Sequence, residues 1–305
     1  MSVTHITPLG IGELSRRTGV SVRTIRFYCD EGLLTPLRSG GGHRRFGPDA
    51  AERLRTVRRL RSLGMGLAAI RAVLSGEDDL GEAIARERAA VDAELSALAW
   101  RSAALRAAEQ GDPAGRAARL DLLAAVVDGS AAHAVLTGFW RSQAVALERG
   151  PFMDSLLAMA APAPPSAPTP EQVVAYAELV ELVQDRSLRS VLLARRLANA
   201  EKVKDEPALL TGLTEACART APLALSGVEP CSGPELDLFV GAHAVARAEG
   251  DSPEFRVRLA EDLRDDREPR MIRYWTLTEA VTGAPHLVSR AHSWLFTALD
   301  LDIRP

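Results

Sequence analysis

The chain has 305 residues, enough for two domains, and its 47% hydrophobic content permits well-filled cores, although aromatics at 5% leave most packing to Leu, Val and Ala. No run of 18 apolar residues occurs and there are three cysteines, which argues against a membrane-spanning helix and a disulfide-stapled fold. The net charge of −3 hides an asymmetry: residues 1–74 hold 13 arginines and no lysine against 5 acids, a net +8, and the remainder carries −11.

A basic N-terminal segment beside an acidic remainder is the footprint of a DNA-binding head on a body with another task. Residues 1–10 read as a loose leader. It lacks a basic, apolar signal sequence, so a cytoplasmic protein is expected. Ile11, Leu14 and Ser15 share one face of a short helix, and Gly19 stands where a helix-turn-helix needs its tight turn. Ser21 suits the N-cap of a second helix ending near Gly32, which carries Arg23, Thr24, Arg26, Phe27 and Tyr28. Two guanidiniums, a hydroxyl and a phenol on one short helix suit phosphates and base edges. Between Arg38 and Arg44–Arg45, three glycines read as a hairpin tip, so this segment is expected to form a wing.

Gly47-Pro48-Asp49 then opens a helix with Pro expected at its first position, and Leu54, Val57 and Leu60 make its apolar stripe. Gly64-Met65-Gly66 interrupts it before a short helix with Leu67, Ile70 and Leu74, and residues 75–79 form a polar hinge. Ile84, Val91, Leu98 and Leu105 recur seven apart, and Leu95 adds a second seam position four after Val91. This pattern over 82–109 reads as a two-helix coiled coil, with a helix packed inside its own monomer as the alternative.

Gly111-Asp112-Pro113 ends that helix. The body shows no clear strand, and helical stretches fall near 116–128, 131–149, 171–184, 186–203, 207–219, 234–249, 253–264, 269–282 and 285–299. Capping-box spacing marks Thr169–Gln172 and Ser232–Glu235, and Ser252-Pro253-Glu254 is a further start signal. Residues 161–170, rich in Pro and Ala, read as a stiff connector, either dividing the body or looping between helices.

The blocks IGELSRRTGVSVRTIRFY (11–28), GLLTP (32–36), GGHRRF (41–46) and RRLRSLGMGLAAIRAVL (58–74) resemble, in order, the DNA-binding domain of MerR-family transcription regulators. The resemblance implies a recognition helix in the major groove and a wing on the adjacent backbone. The DNA-facing set it implies is Arg16, Ser21, Arg23, Thr24, Arg26, Tyr28, Arg38, His43, Arg44, Arg45 and Arg61. It also implies an antiparallel dimerisation helix at 76–110 pairing through Ile84, Val91, Leu95, Leu98 and Leu105. The homodimer would distort double-stranded promoter DNA so that RNA polymerase reads badly spaced elements.

Two positions depart from the family pattern. Phe27 lacks a hydroxyl that members usually have there, and Cys29 replaces an acid, leaving a redox role or a small buried hydrophobe as its readings. Metal-sensing members place cysteines just after the dimerisation helix, yet none stands between Cys29 and Cys217, and Cys231 follows with no nearby His, so no metal and no cofactor are expected. Neither a cobalamin-type Asp-x-His-x-x-Gly motif nor a β-rich effector pattern is found, and no catalytic constellation stands out, so no enzyme is expected.

The whole reads as mainly α: a winged helix-turn-helix head at 1–74 with a small β wing, a long dimerisation helix, and an all-helical domain at 112–305. That domain is expected to sense a small, mostly apolar molecule between aromatic walls such as Trp140, Tyr274, Trp275 and Trp294, with His133, His243 and His292 as polar groups. Its alternatives are a protein partner in place of the ligand, or an enzymatic body.

Overall fold

The structure, a computed structural model, describes residues 8–38, 44–110, 113–143, 151–264 and 267–304. Among the described residues it is mainly helical, with one small three-stranded sheet. It forms two compact units that divide after Leu95, inside a continuous helix. The sequence placed its boundaries at the two ends of that helix instead.

In the first unit, α1 (Ile11–Thr18) buries Leu14 fully and ends on Gly19. Gly19 sits at φ 69°, a left-handed conformation that costs any side chain and suits the C-cap of a tight turn. The Ser15 hydroxyl closes the turn on the Val20 carbonyl at 2.6 Å. Ser21 caps α2 (Val22–Asp30), its hydroxyl accepting the Thr24 N–H at 3.1 Å. Strand β1 (Leu9–Gly10) and β2 (Leu37–Arg38) pair antiparallel on either side of β3 (Arg44–Phe46), in the order β1-β3-β2. The registers are Leu9 opposite Phe46 and Arg38 opposite Arg44.

This corrects the loose leader: Leu9 and Gly10 form a strand, because Leu9 buries its side chain with Phe46 and β3 offers a free edge. The rest of the leader, residues 1–7, and the hairpin tip Ser39–His43 lie outside the described residues. Helix α3 (Ala50–Ser62) begins after Asp49, so Pro48 stands one place ahead of the cap and not at the first helical position. Helix α4 (Leu67–Ser75) follows, and α5 (Leu80–Gln110) begins beyond the hinge.

Two adjoining cores fill this unit. Leu14, Val20, Ile25, Leu34, Phe46 and Leu54 make one, Leu33, Val57, Leu60, Met65 and Ile70 the other, and Tyr28 packs against both. Several arginines serve as internal ties. Arg53 donates to the carbonyls of Leu33 and Leu74 at 2.8 and 3.0 Å, and Arg58 donates to that of Thr18 at 2.9 Å. These bonds fix the α1–α2 turn and the C-terminus of α4 onto α3.

The second unit continues α5 from Ser96 and adds α6 (Arg116–Ala124), α7 (Gly129–Gln143), α8 (Pro151–Ala160), α9 (Pro170–Gln184) and α10 (Arg186–Lys202). Then follow α11 (Glu206–Leu225), α12 (Pro234–Arg247), α13 (Pro253–Arg264), α14 (Pro269–Thr282) and α15 (Leu287–Asp302). Among the described residues no single helix is long and apolar enough to cross a membrane. Helix α9 is buried almost all round, through Val173, Tyr176, Leu179, Val180 and Val183, and so sits at the centre of a core. That core joins Trp100 and Ala107 of α5, Leu136 and Phe139 of α7, and Tyr274 and Leu277 of α14. A second core gathers Cys217, Leu236, Phe239, Phe255, Leu259, Trp294 and Leu295 from α11, α12, α13 and α15. At the α11–α12 crossing a Cβ on Gly212 would stand 2.4 Å from the Ala242 Cβ, so only glycine permits this approach.

Thr169 forms the expected capping box with Gln172, at 3.2 and 2.9 Å in the two directions. Ser232 does not. Gly233 is the cap of α12, and the Ser232 hydroxyl is drawn instead to the Asp302 carboxylate at 2.7 Å. Helix α8 has no counterpart in the sequence reading, α6 ends at Ala124 and not at 128, and α11 runs to Leu225, six residues beyond the expected end. The connector after α8 does not separate two cores: Ala161 lies in the same core as Phe139 of α7 and Val173 of α9.

Candidate functional site

The period of α2 sorts its side chains. Ile25 is fully buried, and Tyr28 and Cys29, three and four residues on, face the same core. Arg23, Arg26 and Phe27 occupy the other side, exposed to solvent, Phe27 at 47%. Arg16, Arg23 and Arg26 make no hydrogen bond or ion pair among the described residues. Unpaired guanidiniums on a capped, rigid helix are pre-arranged for phosphates and for the acceptor edge of guanine. The Thr24 hydroxyl is engaged with Ser21 Oγ at 2.8 Å, so those two candidates form one local unit at the helix N-terminus.

The wing strand adds two cations beside this face. Arg44 reaches Asp30, at the end of α2, at 3.1 Å, an exposed pair weak enough to be exchanged for a phosphate. Arg45 lies opposite Gly10 and donates to the Pro8 carbonyl at 3.5 Å. Arg38 pairs with Arg44 in the strand register, and His43 lies outside the described residues. Arg61 is exposed but donates to the Met65 carbonyl at 2.6 Å, closing the α3–α4 turn. Tyr28 is half-buried, its ring spent on packing. Phe27, placed by the sequence on this helix but left out of the DNA-facing set, takes the outward place. Its position four after Arg23 is the signal that finds it. Burial raises the Cys29 thiol above its ordinary value, and the nearby Arg44 opposes the shift.

The seam residues of α5 are all open to solvent in the single chain. Ile84, Val91, Leu95, Leu98 and Leu105 are 40, 46, 59, 55 and 64% exposed. Ala83, Trp100, Ala103 and Ala107, by contrast, face the protein. Ala83 packs within the first unit and Trp100, Ala103 and Ala107 within the second, and between them residues 88–98 are exposed on every side of the helix.

In the body, three of the four expected aromatic walls meet. Trp140 packs 5.6 Å from Tyr274 and 5.3 Å from Trp275, ring centre to ring centre, and its N–H donates to the Tyr274 hydroxyl at 2.8 Å. Tyr274 is fully buried and donates onward to the Ala160 carbonyl, so Trp140 and Tyr274 are structural, and Trp275 alone of the three reaches a cavity. Trp294 does not join them. It is 6% exposed in the second core, its N–H held by the Val228 carbonyl at 2.7 Å. That cavity, of about 620 Å³, is framed by α12, α14 and α15, with His243 and His292 on its walls. His133 lies elsewhere, 3.2 Å from the Pro162 carbonyl. Burial, helped by Arg247 and then His292, pushes His243 down to about 3. Burial, with His286 second, pushes His292 down to about 4, so both imidazoles are neutral near pH 7. Cys217 is buried and pushed up to about 11, and Cys231 is exposed. Among the described residues no group of three or more His, Cys, Asp or Glu is placed to hold a metal ion.

Compared with known proteins, the chain matches the family described as "MerR HTH family regulatory protein" over residues 9–77. It is 34% identical over 87 residues to "Nodulation protein NolA" of Bradyrhizobium diazoefficiens, covering 28% of this chain and 37% of that protein. It is also 34% identical over 90 residues to "HTH-type transcriptional regulator HmrR" of Rhizobium leguminosarum bv. viciae, covering 30% of this chain and 70% of the relative. Against the "HTH-type transcriptional activator SoxR homolog" of Chromobacterium violaceum the identity is 38% over 65 residues, 21% of this chain and 44% of the other. The chain spans about a third of the length of the NolA proteins it matches, and each of these matches covers less than a third of this chain. No solved structure matches.

Proposed function

The chain belongs to the MerR family of helix-turn-helix transcription regulators, and from this we propose that it works as a homodimer that reads and distorts promoter DNA and answers to a small, mostly apolar molecule. The observation that carries the DNA reading is the outward face of α2, where Arg23 and Arg26 stand exposed and unpaired among the described residues, with Arg44 of the wing beside it. Helix α2 would lie in the major groove and the wing would hold the flanking phosphates.

The homodimer rests on α5. A helix of 31 residues is about 46 Å long, and a row of exposed Ile, Val and Leu along it is apolar surface that a second copy would cover. Two heads related by a two-fold axis would read an inverted repeat, and bending the DNA between them would realign promoter elements for RNA polymerase. The cost of that bend, about 1–6 kcal/mol, would be offset by the extra phosphate contacts it allows.

The effector reading rests on the body: a cavity of drug-ligand size lined by residues that neither the DNA face nor the α5 seam uses. The test of the DNA reading is a fluorescence-anisotropy titration of the full chain against a duplex selected from a random library and against a scrambled one, at several salt concentrations. Preference for the selected duplex by tenfold or more, with affinity falling steeply with salt, is expected. Equal affinity for both duplexes would contradict it.

A further inference from the structure

We propose that the cavity framed by α12, α14 and α15 is the effector site, and that it takes a neutral, flat aromatic molecule carrying one hydroxyl-type hydrogen-bonding group. This deepens the effector reading above and rests on it. The cavity of about 620 Å³ lies within the 300–1,000 Å³ range of sites for small organic molecules. Its aromatic and thioether walls are Phe239 from α12, Met271 and Trp275 from α14, and Phe296 from α15, with Leu209 and Leu213 of α11 adding aliphatic surface.

The aromatic walls are held in fixed orientations. His292 stacks on Phe296 at 5.7 Å and 22°, and Trp275 stacks on His286 at 4.3 Å and 23°. Phe239 stands edge-on to His243, with ring centres 4.8 Å apart. Rings fixed in this way suit a flat aromatic guest, because offset and edge contacts are already arranged and little side-chain freedom is lost on binding.

The charges around the cavity are already matched. Glu279 holds Arg290 through two bonds at 2.8 and 2.9 Å, and Glu268 holds Arg270 at 2.7 Å. Arg267 pairs with Asp300 at 2.7 Å and covers the Phe296 ring. An ionised guest would have to break one of these pairs or bury its own charge, and either is expensive. A neutral guest avoids both costs.

Apart from the Nε of Arg267, buried without a partner among the described residues, what remains is polar but uncharged. His243 lines the cavity at 6% exposure, and His292 lines it as well. As a neutral imidazole, it and its neighbour His292 each offer one donor and one acceptor nitrogen, which matches a hydroxyl that can give or accept.

The test is a titration of the full-length protein with N-phenyl-1-naphthylamine, a neutral aryl amine that fluoresces in apolar surroundings, followed by displacement with naphthalene, 2-naphthol and 2-naphthoate. One saturable site per chain is expected, with 2-naphthol displacing the probe at least tenfold more readily than 2-naphthoate. Ser293→Trp, at an exposed position on the cavity rim, should abolish the signal while leaving helical circular dichroism and molecular mass unchanged. His243→Phe should weaken 2-naphthol about tenfold and leave naphthalene within twofold. Probe binding that survives Ser293→Trp, or 2-naphthoate binding as tightly as 2-naphthol, would overturn the assignment. The two readings fail separately. If 2-naphthol enters the cavity as described but leaves DNA affinity unchanged, the site stands and the effector reading falls. If DNA affinity responds to 2-naphthol equally in Ser293→Trp, the effector reading stands and this site falls.

Discussion

Arg26 and Arg44 are both exposed cations of the head, but they are placed to reach DNA by different routes. Arg26 projects from the outward face of α2, where a bidentate bond to a base edge would be worth about 1–3 kcal/mol of discrimination. Arg44 sits on the wing strand, where a phosphate contact would add about one unit to the salt slope without reading sequence. Arg26→Ala is therefore expected to relax preference at one base pair of a selected duplex, and Arg44→Ala to weaken all duplexes alike and flatten the salt dependence. Titrations over several salt concentrations that leave both quantities at wild-type values would remove the two residues from the interface. Composition alone does not separate these arginines from Arg53 and Arg58, whose guanidiniums are committed to backbone carbonyls, because only the fold brings those carbonyls within reach.

His243 supplies a second test at this scale. It is buried neutral, so its value falls from the ordinary 6.5 to about 3, with Arg247 and His292 adding to burial and Asp262 opposing it. A depressed folded value means that the stability is fully present above about pH 6.5 and is lost as pH falls, because the unfolded chain takes up the proton first. Wild-type stability should therefore fall between pH 6.5 and pH 5 by up to about 1.4 kcal/mol per pH unit more steeply than that of His243→Phe. Chemical denaturation at each pH measures this, and parallel profiles would show that the imidazole is not buried in the folded protein.

Among the elements, α9 tests a cap and α5 tests a surface. The reciprocal bonds between Thr169 and Gln172 satisfy two N–H groups at the start of a helix central to its core, so Thr169→Ala should lower stability by about 1 kcal/mol in urea titrations. No measurable change would mean that water replaces the cap without cost. On α5, Val91 and Leu98 lie seven apart on the exposed stripe, and Asp at both would put charge into a dry seam. Analytical ultracentrifugation of Val91→Asp/Leu98→Asp should give a monomer with unchanged helical content. A dimer of unchanged affinity would locate the pairing surface elsewhere.

The elements that the sequence made legible are those with local chemistry: Gly19 at the turn, Ser21 at its cap, the Thr169 box, and the seven-residue recurrence on α5. Those it misplaced depend on distant partners. Leu9 becomes a strand only because β3 offers an edge, and Ser232 leaves its box only because Asp302 arrives from the far end of the chain. Helix α8 is a ten-residue segment beside a proline-rich connector, and its one start signal, Pro151 with Asp154 in the first turn, is not backed by a repeat.

At the scale of the whole molecule, the first unit carries the helix-turn-helix and the second carries two helical cores with a cavity. Aromatic content located one cavity wall, Trp275, but not the site's make-up. Tyr274 and Trp294 are spent on packing, and Phe239, His243 and Phe296 come together only when α12 and α15 meet. Sequence periodicity marks which face of a helix is apolar and carries no information on which helices will meet.

The central claim is that two heads read DNA together. The most direct measurement is hydroxyl-radical footprinting of the full-length protein on a duplex selected from a random library. Two protected half-sites related by inversion are expected, about one helical turn or a multiple of it apart, flanking a centre of altered reactivity where the duplex is distorted. The paired footprint should collapse with Val91→Asp/Leu98→Asp, while Arg26→Ala should weaken both halves equally. A single protected tract without inversion symmetry, or protection that ignores sequence, would contradict the claim.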